Sequence, residues 1–155
     1  MNDMQSRLRG VAGFDAWIAV ARACQLCQRA LQKELDPLGL EVAHYDVLAN
    51  VAYEEGVTQQ VLARRLLVAK SNVSVLLSTL EQRGLVVRAK DKADARVRRL
   101  TLTAEGRGLV EAAQKRHAVV IEAMMAPITA QERRVVEDAM TRVSTALLAR
   151  DMTKA

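Results

Sequence analysis

The chain has 155 residues, half of them hydrophobic, yet only four are Phe, Tyr or Trp. Ala, Val and Leu supply the apolar volume, and with seven Gly and two Pro this composition favours a helical domain large enough to fold without disulfides or metals. No apolar run approaches the ~18 residues of a membrane span, and the polar start MNDMQSRLRG has no signal-peptide core. The expectation is a cytoplasmic protein with two reduced cysteines and no membrane partner.

Trp17, Val20, Cys24, Cys27, Leu31 and Leu35 step by three and four, which predicts one apolar stripe on a helix from Phe14 to Asp36. Asp36-Pro37-Leu38-Gly39 ends it. A second helix is expected from Val42 to Tyr53, with Tyr45, Leu48, Ala49 and Ala52 inward and Gly56 closing it. Thr58 suits the N-cap of a short third helix, Gln59 to Leu67, burying Val61, Leu62 and Leu66. Ser71 is the expected cap of a fourth helix, Asn72 to Arg83, with Val73, Leu76, Leu77 and Leu80 inside and Gly84 as its stop. A hairpin follows: strand Leu85–Arg88, tip Ala89–Ala95, strand Arg96–Thr103, where Leu100 and Leu102 alternate with Thr101 and Thr103. A fifth helix, Ala104 to Ala126, aligns Leu109, Ala113, His117, Val120 and Met124 and ends at Pro127. Thr129 and Glu132 form the capping box of a sixth, which presents Val136, Met140, Val143 and Leu147 and runs to about Arg150.

Charge is unevenly placed along this order. The net charge is +5, but Thr58 to Thr103 holds ten basic and three acidic residues, leaving −2 for the remainder. A localised basic region on a compact unit points to a polyanion, with a merely solvated surface as the alternative. The fold expected is a single domain over residues 1–155, mainly α with a small β-hairpin wing. Residues 42–103 make a winged helix-turn-helix lobe. Residues 14–40 and 104–150 are long amphipathic helices whose apolar stripes a monomer leaves unsatisfied; they can bury one another across a two-fold axis, giving a homodimer.

Two motifs sharpen this. Asp94-Ala95-Arg96, then Leu100-Thr101-Leu102-Thr103 and Gly106, follow an Asp-x-Arg, apolar-x-Leu-Thr, Gly pattern, and Leu80-Glu81-Gln82-Arg83-Gly84-Leu85-Val86 spans the turn from helix to wing. With both in register behind the expected helices, the chain from about Trp17 to Leu148 resembles the MarR family of transcriptional regulators. The resemblance implies a dimeric winged helix-turn-helix with interlocked terminal helices. It also implies, as for many members, a repressor released from DNA by a small aromatic acid, drug or oxidant.

Candidate site residues follow from chemistry and from the resemblance. On the outer face of the fourth helix, Ser71, Asn72, Ser74, Val75 and Ser78 are candidate readers of base edges: Asn can pair bidentately with adenine, Ser can contact either kind of edge, and Val can meet a thymine methyl. Similar proteins often carry a basic residue where this chain has Val75. Arg64, Arg65, Lys70, Arg83 and Arg88 are candidate phosphate contacts. In the wing, Lys92, Asp94, Arg96 and Arg98 are candidates, and because alternate strand residues face opposite ways, at most one of Arg98 and Arg99 faces DNA. The resemblance places Arg96 at the wing tip that enters the minor groove, where a guanidinium is favoured, with Asp94 holding it through a charge-assisted pair.

Trp17, Arg22, His44 and His117 can offer an effector pocket an aromatic wall and partners for a carboxylate; packing or interface roles are the alternative. Cys24 and Cys27 sit on the apolar stripe, where buried thiols belong. The redox alternative fails to carry over from the family's peroxide sensors, whose reactive cysteine aligns near Trp17. With only His44 and His117 as further ligands, no metal or cofactor is expected. No Gly-rich phosphate loop or nucleophile elbow marks an enzyme. The partners expected are double-stranded DNA carrying a pseudo-palindromic operator, a second copy of the chain and a small-molecule effector. A winged-helix protein–protein adaptor without DNA binding and a thiol-based redox-sensing regulator are the competing readings.

Overall fold

The computed structural model describes residues 8–91, 94 and 97–152, with side chains described to 150. The elements that position the site are α1 Phe14–Leu35, α2 Val42–Tyr53, β1 Val57–Thr58, α3 Gln59–Arg65, α4 Lys70–Gln82, β2 Val86–Lys90, β3 Arg98–Leu102, α5 Ala104–Met125 and α6 Ala130–Met152. Mainly α architecture with a wing is therefore what the chain adopts. The chain divides into two compact units, one ending at Val120 and one beginning at Ile121.

In the first unit the core gathers residues from every element of the lobe. Leu31 and Leu35 of α1, Val47, Leu48 and Val51 of α2, Leu62 of α3, Val73, Leu77 and Leu80 of α4, Val86, Leu100 and Leu102 of the sheet, and Val110 and Ala113 of α5 are all buried. Burial of α2 is broader than its expected stripe, since Val47, Val51 and His44 join Tyr45 and Leu48 while Ala49 and Ala52 are only half-buried. The stripe of α1 is buried only at its C-terminal end. Trp17 is 59% exposed, Val20 and Cys24 are exposed, and Cys27 is half-buried. The expectation of buried thiols is corrected here: Cys24 is exposed and Cys27 half-buried, whereas Leu31 and Leu35 further along the stripe are buried.

After α1 the chain makes one 3-10 turn, Asp36–Leu38, and Gly39 at φ 61° turns it back so that the Leu40 amide donates to the Leu35 carbonyl at 3.3 Å. Gln32 fixes this corner. Its Nε2 donates to Asp36 Oδ1 (2.8 Å) and the Leu40 carbonyl (3.1 Å), and its Oε1 accepts from the Val42 amide (3.0 Å).

The sheet is antiparallel, in the order β1-β3-β2, with Val57 opposite Leu100, Arg88 opposite Leu100 and Lys90 opposite Arg98. The two-residue strand β1 was not expected; it is too short to show alternation, and Val57 is buried against Leu100. The hairpin strands are shifted from their expected bounds: β2 starts and ends later than Leu85–Arg88, and β3 covers less than Arg96–Thr103. Thr58 caps α3, accepting from the Val61 amide at 3.3 Å.

In the second unit, Thr129 and Glu132 form the expected capping box: the Thr129 amide donates to Glu132 Oε2 (2.7 Å) and the Glu132 amide to Thr129 Oγ1 (3.2 Å). These hydrogen bonds hold the Glu132 carboxyl below its ordinary pKa. Val136, Val143 and Leu147 of α6 are exposed. No helix among the described residues is long and apolar enough to cross a membrane.

Candidate nucleic-acid interface

The helix-turn-helix corner is closed by backbone. Leu66 ends α3, Leu67 takes a left-handed φ of 54°, and the Val68 amide donates to the Ala63 carbonyl at 3.2 Å. That turn leaves Ala69 extended, with its carbonyl accepting from Asn72 (3.0 Å) and Val73 (3.3 Å). Ala69 is therefore the N-cap, and the expectation that Ser71 caps α4 is corrected: the left-handed residue completes the turn two residues earlier, so Lys70 and Ser71 are already helical.

On α4 the exposed face is uncharged beyond Lys70. Ser71 and Asn72 are exposed, Val75 is 68% exposed, and Ser74 and Ser78 are half-buried. The hydroxyls further along are turned inward: Ser78 Oγ donates to the Ser74 carbonyl (2.9 Å) and Thr79 Oγ1 to the Val75 carbonyl (3.4 Å). Ser78 also accepts from Arg88 Nη2 at 3.3 Å. The Asn72 side-chain carboxamide makes no hydrogen bond with the described residues, so its donor and acceptor remain available.

The basic residues separate into two groups. Arg88 Nε donates to Glu81 Oε2 at 2.8 Å, and the same carboxylate also pairs with its Nη2. That guanidinium holds the Glu81 carboxyl below its ordinary pKa, with Arg98 adding to the effect, while Glu81 raises the pKa of Arg88. Arg65 pairs with Glu54 and lies 5.7 Å over the ring of the exposed Tyr53. Arg99 pairs with Asp91 and donates to the Gly56 carbonyl at 3.0 Å. By contrast Arg64, Lys70, Arg83, Lys90 and Arg98 are exposed and make no ion pair with described residues.

Strand alternation explains the difference between Arg98 and Arg99. Lys90 and Arg98 are cross-strand partners on the sheet face that carries Leu100, Leu102 and Val86 inward; Arg99 lies on the opposite face. Lys70 and Arg98 line a cleft of about 200 Å³ with Thr58, Gln59, Gln60 and Val97, between the start of α4 and the wing. Lys90 was absent from the expected contacts, although alternation from Arg88 reaches it. At the tip, the Asp94 amide donates to Asp91 Oδ1 at 3.1 Å and the Val97 amide to the Asp94 carbonyl at 2.9 Å. Lys92 and Arg96 lie outside the described residues.

Behind this face, Glu55 joins three elements. One oxygen pairs with Arg107 at 2.7 Å and the other accepts from the Leu102 amide at 3.3 Å. Thr103 caps α5, accepting from the Gly106 amide (3.0 Å) while its own hydroxyl donates to the Gly84 carbonyl (2.7 Å).

Among the described residues no hydrogen bond, ion pair or ring contact links any two of the four residues expected to share an effector pocket. Trp17 stacks obliquely on Phe14, centroids 5.7 Å apart, and lines an apolar cleft with Leu8, Val11 and Gly13. Arg22 is exposed on α1. His117 Nδ1 lies 3.0 Å from Tyr45 Oη, ring edge to ring face. His44 is 8% exposed; its Nδ1 stands 3.7 Å from Glu41 Oε2 without a hydrogen bond. A separate open groove of about 620 Å³ runs between α1 and α2, lined by Gln25, Gln28, Arg29, Gln32 and Asp46 among others. Burial pushes the Asp46 carboxyl up, against the charge of His117. Among the described residues no cluster of three or more His, Cys, Asp or Glu can hold a metal.

Comparison with known proteins gives consistent matches. A family model described as MarR family matches residues 38–97. The HTH-type transcriptional regulator YdgJ of Bacillus subtilis (strain 168) is 26% identical over 105 residues, 68% of this chain. The match spans 64% of YdgJ, under two thirds of its length. Among solved structures, CouR from Rhodococcus jostii RHA1 bound to p-coumaroyl-CoA is 30% identical, with a TM-score of 0.76 over 88% of this chain and 93% of that one. A transcriptional regulator (MarR family) from Rhodococcus sp. RHA1 is 28% identical, with a TM-score of 0.76 over 86% and 95%.

Proposed function

The chain belongs to the MarR family of transcriptional regulators, and from that premise we propose that it is a homodimeric repressor that binds a pseudo-palindromic operator and leaves it when a small aromatic acyl or phenolic effector binds. One observation carries the DNA-binding part. Beyond Lys70 the exposed face of α4 from Ser71 to Val75 is uncharged, and the lobe carries Arg64, Lys70, Arg83, Lys90 and Arg98, exposed cations that form no ion pair with a described carboxylate. Such a face attracts phosphate through counterion release while leaving the helix free to enter the major groove. Residues 42–103 are the DNA-binding lobe in this reading, and Arg96 is its minor-groove probe.

Dimerisation is supported by the uncovered apolar residues of both terminal segments, Trp17, Ile18 and Val20 on α1 and Val136, Val143 and Leu147 on α6. A single chain exposing this much apolar surface has a use for a second copy. The effector class is supported by CouR and its p-coumaroyl-CoA.

The test is binding of the protein to the DNA upstream of its own gene, followed by fluorescence anisotropy at several salt concentrations and repeated with a panel of aromatic acids and their thioesters. Tight binding to two half-sites about one helical turn apart, weakened by salt and by one class of ligand, is the expected result. Salt-independent binding or none favours a protein–protein adaptor.

A further inference from the structure

We propose that this protein reads its operator through a thymine methyl and an adjacent adenine, with Val75 and Asn72 as the two specificity-determining residues of α4. The inference rests on the DNA-binding reading above and deepens it.

The helix offers few other readers. Val75 and Asn72 are one turn apart, so their side chains are neighbours on one face, and both are exposed in the N-terminal half of α4 that reaches base edges in this docking mode. Ser78 and Thr79, next along the same side, have their hydroxyl hydrogens committed to the Ser74 and Val75 carbonyls. Arg88, which reaches this helix through its contact with Ser78, is held by Glu81. No Arg or Lys lies between Ser71 and Leu80, so the bidentate Arg–guanine contact is missing from the helix.

Ser71 and Ser74 keep their hydroxyls, but a serine contacts either kind of base edge and so discriminates little; the discriminating groups are the Asn72 carboxamide, which makes no hydrogen bond with the described residues, and the branched apolar side chain of Val75 beside it. The carboxamide matches adenine N6 and N7, and the isopropyl group matches the one apolar feature of the major groove, the C5 methyl of thymine. A one-turn separation spans neighbouring base pairs, so the two contacts fall on adjacent or next-but-one A·T pairs in each half-site.

The test uses the full-length protein and the operator mapped by footprinting. Each thymine in turn is replaced by deoxyuridine, which removes only the methyl group, and affinity is measured for the wild type and for Val75→Ala. At one thymine per half-site the replacement is expected to weaken wild-type binding about fourfold, the worth of one buried methyl group. Val75→Ala is expected to weaken binding to the natural operator by a similar factor and to abolish the deoxyuridine effect at that thymine, while Val75→Thr, which keeps a methyl, retains it. Asn72→Ala is expected to lose at least fivefold and to stop discriminating against 7-deazaadenine at the neighbouring adenine. Specific, salt-dependent binding that no single methyl removal weakens, or a methyl effect that persists in Val75→Ala, overturns this assignment and leaves the DNA-binding reading standing. Absence of duplex binding overturns both.

Discussion

Gly106 and Gly108 stand two residues apart in the first turns of α5, yet substituting each by Ala should move stability in opposite directions. A Cβ on Gly106 would lie 2.0 Å from the Leu85 carbonyl oxygen and 2.9 Å from its carbon. A carbon–oxygen contact needs about 3.3 Å, so the start of α5 must retreat from the wing by roughly 1 Å. The retreat strains a close set of hydrogen bonds: Thr103 amide to Leu85 carbonyl (3.1 Å), Thr103 hydroxyl to Gly84 carbonyl (2.7 Å) and Gly106 amide to Thr103 hydroxyl (3.0 Å). Overpacking costs about 1–3 kcal/mol and each weakened hydrogen bond up to about 1 kcal/mol more. Gly106→Ala should therefore lose about 3–5 kcal/mol, a large part of a typical domain's ~5–15 kcal/mol. Gly108 has nothing within 4 Å of its would-be Cβ, and Gly108→Ala should gain up to about 1 kcal/mol from helix propensity. Urea unfolding followed by circular dichroism, with all variants at one protein concentration, measures both. Equal midpoints for the two variants would refute the close approach of α5 to the wing.

Arg96→Ala should weaken operator binding at least tenfold, about 1.4 kcal/mol or more, with an unchanged unfolding midpoint; near-normal affinity would remove Arg96 from the site. Glu81→Gln should destabilise by less than ~1 kcal/mol, because the Glu81–Arg88 pair is partly exposed. The effect should depend on pH in a defined direction. The Glu81 pKa is lowered in the folded chain, so its stabilisation is complete above the ordinary carboxyl value of about 4.3 and disappears as pH falls through the folded value. Unfolding curves of the two proteins should converge in acid, and a gap that is constant from pH 7 to pH 3 would contradict the pairing. Tyr45→Phe removes the 3.0 Å contact with His117 and should cost about 1 kcal/mol; an unaltered thermal midpoint would mean the contact contributes nothing.

The helices were legible because their stripes and stops are local. Gly39 and Gly84 take left-handed φ values where the sequence placed turns, and Thr58 and Thr129 cap the helices that follow them. Misplaced features were those settled at a distance. Ser71 has the chemistry of a cap, but Leu67, a residue type that rarely accepts positive φ, takes the left-handed turn and moves the helix start to Lys70. Strand β1 exists because Val57 meets Leu100, 43 residues later. The stripe of α1 gave no sign that Leu31 and Leu35 would be buried while Trp17, Val20 and Cys24 stay exposed.

The site was legible in its residue types and less so in its charges. A count of Lys and Arg treats each as available to phosphate, but availability depends on carboxylates brought close only by folding. Arg65 meets Glu54 across the α2–α3 turn, Arg88 meets Glu81 from strand to helix, and Arg99 meets Asp91 across the wing. Each pair keeps a cation on the lobe while removing its net attraction for a polyanion. Of the cations without an ion pair among the described residues, Lys70 and Arg98 line the cleft between the start of α4 and the wing and Lys90 lies across from Arg98, whereas Arg99 lies on the opposite sheet face. The distribution matters more than the total: in the function proposed above, the unpaired cations supply sequence-independent affinity, and the stretch of α4 from Ser71 to Leu80, which has no charged side chain, discriminates among bases by shape and hydrogen bonding without a competing pull toward phosphate.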